Sequence, residues 1–200
     1  MHHPEYHATP SGPKLNRLRA SVMGANDGIV SIAGLVFGIA GATSESAVIF
    51  ATGIAGIVAG ALSMAIGEYV SVSSSRDSEQ ALLAKEKFEL ENYPEHEFTE
   101  LKDIYRKKGL SDGTAETVAT ELTAHNAFAA HAEAELKIDP EHLTNPAQAA
   151  LASAGTFFAG ALIPLIAISL PPADIRIAVA FAAVVVALCI TGFVSAKVGG

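Results

Sequence analysis

Apolar residues in this chain come in long unbroken blocks, not in alternation with polar ones. Ser46 to Gly67 runs twenty-two residues without a charge, Ala149 to Leu170 another twenty-two, and Ile177 to Ala196 twenty. Each is long enough to cross roughly 30 Å of hydrocarbon as a helix, which takes about 20 residues. A fourth block, from about Val22 to Ala42, is apolar apart from Asn26 and Asp27. Four such blocks with little amphipathic patterning predict a polytopic membrane protein rather than the buried helices of a soluble one. Short turns at Thr43-Ser44-Glu45-Ser46 and at PPADIR pair the blocks into two helical hairpins.

Between the hairpins the pattern changes to charged helix formers. Ser74 to Glu91 reads as one helix, which Asn92-Tyr93-Pro94 interrupts because proline disfavours helix in the residue before it. A second helix is expected from about Pro94 to Lys108, with Lys107 and Lys108 suiting its C-terminal dipole and Gly109 its cap. A third is expected from Ser111 or Asp112 through to Lys137, ended by Asp139-Pro140, and Asn145-Pro146 then opens the third span. No strand pattern or repeat occurs. The expected fold is all-α: residues 1–19 a disordered cytoplasmic arm, 20–72 the first transmembrane hairpin, 73–147 a three-helix cytoplasmic insert, and 148–200 the second hairpin. Gly34-x-x-x-Gly38 in span one and Gly56-x-x-x-Gly60 in span two predict close helix packing, and only weakly support a dimer.

Charge sharpens this picture. Residues 76–141 hold sixteen of the twenty-one acids and eight of the thirteen bases, so the insert alone carries the whole net charge of −8. No basic stripe is left for a nucleic acid partner. Lys14, Arg17 and Arg19 precede span one, and Arg76 and Lys85 follow span two, whereas the turn between those spans has no base. The positive-inside rule therefore places the N-terminus and the insert in the cytoplasm. The arm has no apolar signal segment, and its three histidines read as scattered tail residues. The lone Cys189 excludes a disulfide framework within the chain.

Candidate chemistry follows from where ligand-bearing residues fall. Asp27 is costly beside a span and is a functional candidate, with an interfacial helix N-cap as the alternative. Counted down from the hairpin turn, Asp27 lies about 26 Å along span one and Met64 about 29 Å along span two, so both sit near one depth. Glu68 is one turn from Met64 on the same face. Carboxylate and thioether together suit a divalent transition metal, against the commoner reading of a span methionine as packing. In the insert, Glu86 and Glu89 share a helix face, as do Glu97 and Glu100, and His131 and Glu135 are four apart. Folded together these six suit iron(II), manganese(II) or zinc; apart, they are a solvated charged surface. His96, His125 and His142 read as surface residues. The Glu-x-x-His signature of di-iron oxidases is absent, and no enzyme is expected.

NDGIVSIAGLVFGIAGA (Asn26 to Ala42), AGIVAGALSMAIGEYVSVSSSRD (Ala55 to Asp77) and ALASAGTFFAGALIPL (Ala150 to Leu165) resemble the vacuolar iron transporters, and the similarity covers nearly everything after Lys14. The resemblance implies a homodimer that moves iron(II), and in some members manganese(II), out of the cytoplasm in exchange for protons, through a pore between two first spans. It makes Asp27 and Met64 pore ligands, and Glu86, Glu89, Glu97, Glu100 and Glu135 ligands of a cytoplasmic metal-binding domain. His131 falls where some members use methionine. Gly56 stands where vacuolar importers have a carboxylate, and Ala132 replaces a second methionine. The chain stops at Lys197-Val198-Gly199-Gly200, where the family continues into a fifth span, so a fragment or a shortened protein is expected. The competing functional expectation is a membrane-anchored metal buffer or sensor without a pore. The short arm points to the plasma membrane of a bacterial-type cell.

Overall fold

The computed structural model describes residues 12–198, and residues 1–11 of the arm, with its histidines, lie outside them. Every regular element among the described residues is helical: α1 (Gly12–Ala42), α2 (Ser46–Asn92), α3 (Pro94–Lys107), α4 (Asp112–His131), a π-helical turn (Ala132–Leu136), α5 (Pro146–Ser169) and α6 (Arg176–Val198). Four of these helices are long and apolar enough to cross a membrane, so the chain is an all-α polytopic membrane protein. The chain divides into two compact units, one of residues 1–72 with 145–200 and the other of residues 73–144.

Helix α1 starts at Gly12, so residues 12–19 are helical where a disordered arm was expected. Pro13 fits a first helical turn, and the Lys, Leu and Arg residues that follow are good helix formers. In the membrane unit α1 packs most intimately on α5. A Cβ at Gly28 would fall 2.2 Å from the Phe157 carbonyl oxygen, and one at Gly160 would fall 2.2 Å from that of Ala25. Gly24 is equally tight against α5. Backbones approach this closely only where no side chain intervenes. The close packing expected at Gly34 and Gly38 does not occur within the chain's described residues, none of which lies within 4 Å of a Cβ at either. Gly60 instead receives the Phe157 ring, and Gly56 the side chains of Leu35 and Ile32. Around this seam lies an apolar core that includes Val36, Ile49, Ile57, Leu165 and Ile168. Arg176, buried at the start of α6, donates from Nη1 to the Ser44 carbonyl at 3.4 Å and so ties the two hairpin turns together.

The second unit contains the C-terminal part of α2, α3, α4 and the π-helical turn. Its first helix is not separate, as expected, but continues α2, because Ser71-Val72-Ser73-Ser74-Ser75 has neither glycine nor proline to stop a helix. Helix α3 has Pro94 in its first turn and Arg106 and Lys107 in its last, and Gly109 takes φ +100° beyond its cap. Ser111 caps α4 by accepting from the Thr114 amide. The third helix does not run unbroken to Lys137. Asn126 is extended (φ −163°, ψ 93°), and its Oδ1 accepts from the Ala129 amide at 3.0 Å, which restarts the helix there. An Asn side chain competes for backbone amides in this way, so it can break a helix that propensity alone would continue. The restarted segment passes into the π-helical turn and stops at Lys137, whose φ of 56° is left-handed. Leu101, Ala119 and Ala130 form the unit's small apolar core.

Candidate metal centres

In the insert unit, Glu86 on α2, Glu97 on α3, His131 at the end of α4 and Glu135 in the π-helical turn each offer a ligand atom, all within 4.8 Å of one another. His131 Nδ1 lies 3.0 Å from Glu86 Oε1, 3.7 Å from Glu97 Oε2 and 3.8 Å from Glu135 Oε2. Glu86, Glu97 and His131 are buried. The Asn126 break lies just before His131, and Lys137 closes the turn that carries Glu135.

Glu86 Oε1 and His131 Nδ1 are buried without a hydrogen-bond partner, although they lie so close to each other. Burying polar atoms unsatisfied is expensive, and a shared cation would satisfy both. Burial, and then the carboxylates of Glu135, Glu97, Glu89 and Glu100, raise the Glu86 carboxyl to about 7. Three carboxylates and an imidazole are a donor set suited to a divalent transition metal.

Of the six insert groups the sequence singles out, four converge. Glu100 joins a neighbouring group with His96 and Glu97, in which His96 Nδ1 is 3.3 Å from Glu97 Oε1 and 3.9 Å from Glu100 Oε2. His96 thus stands beside the site, although its side chain is exposed as expected of a surface residue. Glu89 stays outside both groups and pairs with Lys85 at 3.0 Å. The i, i+4 spacing of that lysine and glutamate was the available signal. His142 pairs with Asp139 at 2.9 Å, away from these ligands.

In the membrane unit, Asp27 and Met64 line one cavity of about 270 Å³, together with Ser31, Ser63, Leu35 and Gly56 among others. Asp27 lies inside α1, well past its start, so the helix N-cap alternative does not hold. The Ser31 hydroxyl donates to Asp27 Oδ1 at 2.8 Å. Glu68 is half-buried one turn beyond Met64 and does not line the cavity. Sequence reasoning missed the two serines. Their signal was position, since Ser31 is four residues on from Asp27 and Ser63 adjoins Met64.

The sequence profile of the VIT family matches residues 18–200. The chain is 44% identical over 149 residues to a vacuolar iron transporter of Acanthamoeba castellanii, an alignment covering 74% of this chain and 54% of that protein. It is 36% identical over 187 residues to vacuolar iron transporter homolog 5 of rice (Oryza sativa subsp. japonica), covering 93% of this chain and 68% of the rice protein. Vacuolar iron transporter homolog 4 of Arabidopsis thaliana is 35% identical over 183 residues, covering 91% and 69%. The chain thus spans little more than half of the Acanthamoeba protein's length.

Proposed function

We propose that this chain, which belongs to the VIT family, carries iron(II) or manganese(II) across a membrane, outward from the cytoplasm and in exchange for protons. The observation that carries this reading is the shared cavity, in which a carboxylate from one span and a thioether from another line the same space. A charged ligand inside a span is costly unless a substrate path requires it. The insert supplies the collecting end. There Glu86, Glu97, His131 and Glu135 gather cytoplasmic metal, with Glu100 beside them, and in the membrane unit Glu68 is a further acidic group one turn from Met64. Carboxylates on this route trade metal for protons as the ion moves. Oxygen and nitrogen donors accept both iron(II) and manganese(II), with zinc as a competitor. Neither an enzymatic step nor a resident cofactor is needed.

The working unit in this reading is a homodimer. Asp27, Ser31, Gly34 and Gly38 form one exposed stripe on α1, and among the described residues nothing lies within 4 Å of a Cβ at the two glycines. A second copy of α1 would close the cavity's open side. Relatives named vacuolar give no support to the bacterial-type plasma membrane expected from the arm.

Metal uptake into proteoliposomes tests the reading. Asp27→Ala should abolish flux while the insert still binds metal. Unchanged flux would remove the pore assignment. A buffer or sensor without a pore is the second reading, favoured by the orphaned Glu86 and His131 atoms, which make a binding site independent of the cavity. It predicts stoichiometric binding and no flux even in the unaltered chain.

A further inference from the structure

We propose that the hydroxyls of Ser31 and Ser63 are metal ligands beside Asp27 and Met64, so that the cavity offers one carboxylate, two hydroxyls and one thioether. This rests on reading the cavity as the pore site, and it assigns the residues that set that site's selectivity.

All four side chains line the same cavity of about 270 Å³. Helical serines and threonines commonly turn the hydroxyl back on their own helix, as Thr52, Ser78, Thr156 and Thr191 do here by donating to carbonyls one turn earlier. Ser31 does not. Its O–H donates to Asp27 Oδ1 at 2.8 Å, which commits its only proton and leaves its oxygen lone pairs free to accept a cation. The same bond fixes one carboxylate oxygen and leaves Oδ2 for the metal. Ser63, on α2 next to Met64, makes no hydrogen bond to another described residue through its hydroxyl and lines the cavity. Beyond Ser31 the α1 wall of the cavity is Ile32 and Leu35, whose side chains lie over Gly56. Ser31 therefore holds the last side-chain oxygen on that wall.

The chemistry of this set is specific. Hydroxyl oxygens are hard and neutral, so they offset the soft thioether and favour manganese(II) and iron(II) over softer ions. Being uncharged, they hold the ion in place without adding to the negative charge that Asp27 brings. A site meant to pass an ion must let it go, and conduction needs binding that is strong enough to enter and weak enough to leave.

The test measures Mn(II) and Co(II) binding to the full chain in lipid nanodiscs, by Mn(II) magnetic resonance and Co(II) absorption. A Glu86→Gln, His131→Gln background silences the principal insert site. Ser31→Ala and Ser63→Ala should each weaken Mn(II) binding by about tenfold, the low end of what altered ligation commonly costs. Co(II), which tolerates a softer set, should lose less, so the Mn(II) to Co(II) affinity ratio should fall. Ser31→Thr and Ser63→Thr, which keep the hydroxyl, should restore both. Three results would overturn the proposal. If Asp27→Asn loses binding but both alanine variants bind as the unaltered chain does, the hydroxyls merely line the space. An equal loss of both metals that threonine does not rescue means a structural role. If Asp27→Asn itself binds normally, the pore reading fails first and takes this assignment with it.

Discussion

At the proposed metal site, Glu86 is the residue most strongly altered by its surroundings. Its carboxylate is buried 3.0 Å from His131 Nδ1 without a hydrogen bond, and its pKa is pushed up to about 7 by burial and then by neighbouring carboxylates. Because the folded-state value lies above the ordinary carboxylate value of 4.5, the contribution of Glu86 to the stability of the metal-free insert is fully present at pH below about 4.5 and is lost as pH rises through about 7. Metal must displace that proton, so its affinity should climb over the same interval and then level off. Titrating metal binding between pH 5 and 8 checks this, and Glu86→Gln should flatten much of the rise. The sequence shows this site in part. The i, i+4 pair His131 and Glu135 and the acidic runs on either side of Pro94 are visible as spacing. Burial is not, because it depends on how three helices pack, whereas the pairing of Glu89 with Lys85 was visible in their i, i+4 spacing.

At the scale of elements, length and hydropathy were enough to find every span, since a membrane demands long apolar blocks. Packing between spans was harder to read. Gly34-x-x-x-Gly38 and Gly24-x-x-x-Gly28 are indistinguishable as patterns, yet only the second is pressed against α5. Gly28→Ala would place a methyl group 2.2 Å from the Phe157 carbonyl oxygen, an atom that cannot swing aside as a side-chain tip would. The expected cost is about 1–3 kcal/mol or more, as for other overpacked cores. It should appear as a lowered melting temperature in detergent, whereas Gly34→Ala meets no described atom of its own chain and should show no such overpacking loss in a monomeric preparation. The Asn126 break was legible only in hindsight, because an asparagine within a run of alanines still scores as helix.

For the molecule as a whole, the open α1 stripe predicts a second copy. In a Cys189→Ala background, Gly38→Cys should yield covalent dimers in the membrane on mild oxidation, because a Cβ at Gly38 meets no other described residue of its own chain. Persistent monomers under those conditions would count against the dimer. The segregation of charge into the insert has a further consequence for arrival rather than holding. Three of the insert's eight bases pair at its periphery: Lys85 with Glu89, Lys102 with Asp112 and Glu116, Arg106 with Asp103 and Asp112. None of the three forms an ion pair with Glu86, Glu97 or Glu135, although Lys85 lies near enough to feel the charges of Glu135 and Glu86, and the segment's net charge of −8 leaves a negative field around the proposed site. Such a field enriches nearby cations and speeds their capture, an advantage that fades with ionic strength. If the proposed site binds metal, scarce cations should be drawn toward it before they touch any of its side chains.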